Sequence, residues 1–141
     1  MNELWFSVSK KERIFHWRKF RKTLVGLELT DALQKCVDWW SMTPISSNVF
    51  DAFDPGSWLG PWDLVWAGEF DEDSIALGMA YTLQLEEIAQ CEMMLVQRHD
   101  DNTTRLVVLV DNQYVLNYTY GNVAPASVLE KCDILHSKKI N

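Results

Sequence analysis

From residue 36 to residue 97 the sequence has no lysine or arginine, although that stretch carries eleven acidic residues. Seven of the thirteen basic residues lie instead between residues 10 and 22, so the net charge of −7 hides a chain with a basic end and an acidic body. That separation disfavours nucleic acid as a partner and suits head-to-tail or hetero-oligomeric protein contact. No apolar run reaches the roughly twenty residues that cross a bilayer, and the first residues lack the basic-then-apolar form of a signal peptide. The expectation is a chain with no membrane span, cytoplasmic when made. Cysteine is scarce: Cys36, Cys91 and Cys132 share no repeated spacing, and their odd number argues against a disulfide framework. Cys132 and His136 stand four apart, but a closed zinc site needs four convergent ligands, and no second close pair exists. No metal and no cofactor is expected. The sequence also lacks internal repeats, low-complexity segments and a glycine-rich phosphate loop.

What the chain does have is 48% apolar content over 141 residues, enough for one domain with a real core. Residues 1–8 hold Leu4, Trp5, Phe6 and Val8, an aromatic N-terminal arm. Residues 9–44 read as helical. Ser9-Lys10-Lys11-Glu12 is a capping-box pattern, and Ile14, Trp17, Phe20 and Leu24 follow at helical spacing until Gly26. Lys10, Lys11, Arg13, Arg18, Arg21 and Lys22 make this first helix basic and are candidate interface residues. Thr30-Asp31 opens a second helix with Leu33, Cys36, Val37 and Trp40 facing inward, and Pro44 ends it.

Residues 45–67 form a Trp-rich connection. Asp51-Ala52-Phe53-Asp54-Pro55-Gly56 is turn chemistry, and Pro61 can start a short helical turn. All seven tryptophans occur by residue 66. Trp58, Trp62 and Trp66 fall at a spacing of four, as further interface candidates, although such aromatics more often supply packing that regular elements do not. Residues 119–141 begin with a loop, continue as a helix or a last strand, and end in a solvated tail from Ser137.

Residues 68–118 organise the rest. Ile75, Ala76, Met79, Ala80 and Leu83 mark a buried helix with acids crowding its start. The β-branched and aromatic runs 91–97, 105–110 and 113–118 read as three antiparallel strands. This α+β layout, a central buried helix packed on a small antiparallel sheet, resembles the bacterial transglutaminase-like cysteine proteinases of the papain-like superfamily. Their pattern is Cys-Glu-Asp at a helix start, a strand beginning with His, and a strand ending in Leu-Asp. Here the first position reads Asp71-Glu72-Asp73, the second falls on Arg105 and the third on Asn117 in Val115-Leu116-Asn117.

All three positions depart from the pattern. A carboxylate is a poor nucleophile for an amide, and a guanidinium that stays protonated cannot shuttle a proton as imidazole does. The resemblance therefore implies a catalytically inactive transglutaminase-like domain, not an enzyme, that serves as a structural or assembly protein. Its general character also resembles proteins of tailed bacteriophages, which implies other subunits, phage structural proteins or further copies of itself as partners, and a place in a virion. The plainer reading of Asp71 or Asp73 is a helix-capping acid, and an Asp71–Arg105 pair is a further expectation. Two alternatives stand beside this: a hydrolase rearranged around Asp71–Ser74, with Cys91, His99 and Ser74 as the available nucleophile or base, and a regulator that binds an acidic partner through residues 10–22.

Overall fold

Helices on one side and a five-stranded antiparallel sheet on the other make up the computed structural model, which describes residues 5–46 and 50–140. Leu4 of the N-terminal arm falls outside the described residues. Trp5 begins a 3-10 turn, Trp5–Ser7, and its ring is buried between Trp39, at 4.9 Å and stacked, and Trp40, at 5.1 Å edge-on. The arm is thus a plug in the core.

Helix α1 (Lys10–Thr23) starts where the capping pattern puts it, with Ser9 Oγ accepting the Glu12 amide at 3.3 Å. Trp17 and Leu24 of its stripe are fully buried. Helix α2 (Leu29–Ser41) begins slightly earlier than Thr30-Asp31, with Glu28 at the cap and no side-chain cap bond, and buries Leu33, Cys36, Val37 and Trp40 as expected. Pro61 opens α3 (Pro61–Ala67), which ends at Gly68 in a left-handed conformation, φ +70°. Helix α4 (Ser74–Leu85) is buried on nearly every face, which is why its apolar residues show no single stripe.

The strands are β1 (Cys91–Arg98), β2 (Thr104–Val110), β3 (Tyr114–Leu116), β4 (Val123–Pro125) and β5 (Cys132–Lys139), in the sheet order β4-β3-β2-β1-β5. Alternation sorts their side chains. Cys91, Met93, Leu95, Leu106, Val108 and Val110 join the helices in the main core, whereas Val96, Val107, Leu109 and Val115 face the 3-10 segment Ala126–Lys131.

Three expectations are corrected. The third strand stops at Leu116, because Asn117 takes φ +67° and leaves the extended region. The segment after residue 125 is both a 3-10 turn and a strand, and Ser137 to Lys139 belong to β5 rather than to a tail. The sheet also has a strand that was not expected, β4, while β5 is the last strand that one of the two readings of the C-terminal segment allowed. Its free edges are guarded. Pro125 ends the short β4, and β5 carries a register shift opposite Leu95/Val96 together with Lys138 and Lys139.

One ion pair ties the basic helix to the end of α4. Arg21 Nε and Lys22 Nζ meet the Glu86 carboxylate at 3.1 and 2.8 Å, and that carboxylate is 6% exposed. Burial alone would raise the Glu86 pKa, but hydrogen bonds and charge from Lys22 and Arg21 outweigh it and hold it below its ordinary 4.5. A depressed folded-state pKa contributes stability that is present above pH 4.5 and lost as pH falls through the lower folded value. Glu86→Gln should therefore lower the melting temperature at neutral pH and lower it less in acid. Equal losses at both pH values would exclude this linkage.

Candidate functional site

The three positions singled out at residues 71, 105 and 117 are set around the start of α4, where it meets the first residues of β2 and the end of β3. Asp71 is the helix cap in practice: its Oδ1 accepts the amides of Asp73 and Ser74 at 3.0 and 2.7 Å. Ser74 Oγ in turn accepts the Asp71 amide at 2.9 Å, a reciprocal arrangement of the capping-box kind. Asp73 reaches across to the sheet, where its Oδ1 accepts the Leu106 amide at 2.9 Å. Burial pushes the Asp73 carboxyl pKa up. The Leu106 bond and the Arg105 charge pull against that shift, while Asp71 and Glu72 add to it.

Arg105 is a partner for the acid cluster. Its side chain is 16% exposed, and it donates through Nε to the Asn117 carbonyl at 2.6 Å and through Nη2 to Asn117 Oδ1 at 3.3 Å. The expected Asp71–Arg105 pair is replaced by Glu72, whose Oε2 lies 3.6 Å from Arg105 Nη1. Asp71 is turned into its own helix, so the neighbouring acid takes the guanidinium. Burial lowers the Arg105 pKa from its ordinary value, with Glu72 opposing the shift. Asn117, 1% exposed, uses both amide hydrogens: Nδ2 donates to the Glu72 carbonyl at 2.8 Å and to the Leu106 carbonyl at 2.9 Å.

This cluster works as a clasp between helix and sheet. A thiolate–imidazole relay is not open to these three side chains, so a reaction on this face has to use other groups. An open recess of about 400 Å³ beside it is lined by Ile45, Ser46, Asp71, Glu72 and Asp73.

The residues named for rearranged chemistry are not brought together. Cys91 begins β1 and His99 follows its end, eight residues on, or roughly 26 Å of extended strand. Burial, with the Asp111 charge adding to it, pushes the Cys91 thiol up to about 12. His99 Nε2 is paired with Asp133 at 2.9 Å on the surface, and Ser74 Oγ is engaged with Asp71. Among the described residues no group of three His, Cys, Asp or Glu side chains is placed to hold a metal ion, and no helix is long and apolar enough to cross a membrane.

The candidate interface residues divide in two. Lys10, Lys11, Arg18 and Lys22 are exposed on α1. Arg13 and Arg21 are buried, 7% and 4% exposed, and so do not belong to that surface. Arg13 clamps the end of α3, donating Nε to the Val65 carbonyl and Nη2 to the Trp66 carbonyl, both at 2.8 Å, with the Phe6 and Val8 carbonyls on Nη1. A helix terminus leaves such carbonyls unpaired, which is why a cation is buried there without a carboxylate. Arg21 lies over the Trp17 ring at 4.3 Å and pairs with Glu86. Trp58 is half-buried and stacked on Phe50 at 5.5 Å. Trp62 and Trp66, for which packing was the favoured reading, are each 49% exposed. With Lys11, Ile14 and Asp63 they line an open groove of about 410 Å³ between α1 and α3.

No protein-family model and no curated protein matches the chain. Solved structures do. Legionella pneumophila LapG in its calcium-bound form superposes with a TM-score of 0.74 at 14% identity, over 94% of this chain and 77% of that one. A second LapG structure gives 0.73 at the same identity and coverage, and the EGTA-treated form gives 0.72 over 92% of this chain and 73% of that one. The fold is therefore transglutaminase-like, as the sequence resemblance implied. The expectation that the chain is not an enzyme is corrected by the same finding: LapG is a bacterial transglutaminase-like cysteine protease, so the likeness points toward an enzyme, and at 14% identity it is a likeness of fold.

Proposed function

We propose that this chain works by protein–protein contact, as an assembly domain on a transglutaminase-like fold, and that the exposed face of α1 and α3 is its contact surface. The observation that supports this reading is the pair of half-bare tryptophans, Trp62 and Trp66, set beside the exposed Lys10 and Lys11. The Lys10 ammonium stands 5.8 Å from the Trp66 ring, so the aromatic surface already carries a cation at its rim. Tryptophan in a groove edged by charge is the composition of an interface anchor. The surrounding charge selects an acidic protein surface as its complement. Incorporation into a phage particle is one setting for such a domain, and presence of the chain in purified particles would test it.

The experiment is light scattering on the purified chain, at low and moderate salt, with and without the proteins encoded beside it. A complex that weakens as salt rises is expected, together with at least roughly a thirtyfold loss of affinity for Trp66→Ala, the range of an interface anchor. A chain that joins nothing at low salt would sink the reading.

A further inference from the structure

Phe53 is the most exposed large apolar residue among those described, at 67%, and it stands on a rigid turn. The Phe53 amide donates to Asp51 Oδ1 at 3.0 Å, and the Asp54 amide donates to the Asp51 carbonyl at 3.2 Å, so the loop holds its shape without help from the ring. Two exposed acids, Asp51 and Asp54, flank the ring. The result is an aromatic knob between carboxylates. The groove between α1 and α3 is its counterpart: Ile14, Trp62 and Trp66 form an apolar slot with Lys10 and Lys11 at the rim, and Asp63 is the one acid lining it. Apolar character and charge sign are complementary between these two separate patches.

We propose that copies of this chain join head-to-tail, with Phe53 of one copy seated between Trp62 and Trp66 of the next. Asp51 and Asp54 then meet Lys10 and Lys11. This rests on the contact surface proposed above and names a second copy as its partner. Because knob and socket are different patches, the contact is heterologous: each copy that fills one socket leaves another open, and the array grows as a ring or filament. The unequal distribution of charge along the chain, basic at residues 10–22 and acidic from 36 to 97, suits that polarity.

The test is sedimentation velocity on the full chain, for wild type, Phe53→Ser and Trp66→Ala, each alone and the two variants mixed in equal amounts. Wild type should associate more as concentration rises and less as salt rises. Each variant alone should stay monomeric, with at least about a thirtyfold loss of affinity, as for an anchor residue. The mixture should form a dimer and stop, since only one intact knob and one intact socket remain between the two. Wild type that remains monomeric, a Phe53→Ser variant that associates as wild type does, or a mixture that stays monomeric would each overturn the proposal. If wild type is monomeric yet Trp66→Ala abolishes binding to another protein, the second copy is excluded while the contact surface stands.

Discussion

Asn117→Asp should cost about 3–5 kcal/mol of stability at neutral pH, although it installs the very acid that the transglutaminase-like pattern has at this position. The Asn117 amide gives its two hydrogens to the carbonyls of Glu72 and Leu106, at 2.8 and 2.9 Å. A carboxylate has no hydrogen to give. The buried Leu106 carbonyl and the partly buried Glu72 carbonyl would lose their donor and would face a negative oxygen instead, at a side chain that is 1% exposed. The nearby Arg105 guanidinium returns part of the loss, since its Nη2 already points at the Asn117 side chain oxygen. It cannot return all of it, because Arg105 also holds the Asn117 carbonyl and Glu72. Denaturant unfolding at neutral and acid pH checks this. The penalty should shrink in acid, where the introduced carboxyl regains a proton and one donor. A variant as stable as wild type at neutral pH would show that the amide does not hold the clasp together.

The same cluster shows how far the sequence could be read. The helices were legible because burial leaves a periodic record: Leu33, Cys36, Val37 and Trp40 lie inward on α2, and Ser9 caps α1. α4 and the first strands were legible instead as largely uncharged apolar runs bounded by polar turns. What the pattern could not supply was direction at the polar positions. Asp71, Glu72 and Asp73 are consecutive acids, yet one caps the helix, one pairs with Arg105 and one holds the Leu106 amide. Each role follows from a backbone geometry that exists only once the sheet is in place. Arg13 and Arg21 were misplaced because the partners that justify burying them, the carbonyls at the end of α3 and the Glu86 carboxylate, lie about fifty and sixty-five residues away. β4 was missed because three residues ending in proline carry almost no strand signal.

Gly78→Ala tests the packing that the helices bring about, and it should lower stability by about 2–4 kcal/mol even though alanine is the better helix former. A Cβ at Gly78 would stand 2.5–2.6 Å from three carbons of the Trp40 ring, far inside van der Waals contact. Relief requires the ring to move, and Thr82, Trp5 and Phe70 oppose that. Its indole N–H is held by Thr82 Oγ1 at 2.9 Å, the same hydroxyl that takes the Trp17 indole N–H at 2.9 Å and itself donates to the Gly78 carbonyl at 2.7 Å. Trp5 and Phe70 pack against it at 5.1 and 5.3 Å. α2 and α4 would have to separate, at the expense of the fully buried Cys36, Met79 and Leu83 beside them. A chain of this size should lose roughly 10 °C in melting temperature. Combining the change with Trp40→Phe should cost less than the sum of the two, because the smaller ring vacates the space the methyl needs. A Gly78→Ala protein that melts at or above the wild-type temperature would show that the helices can part cheaply, and that glycine is not what lets α4 lie so close to Trp40.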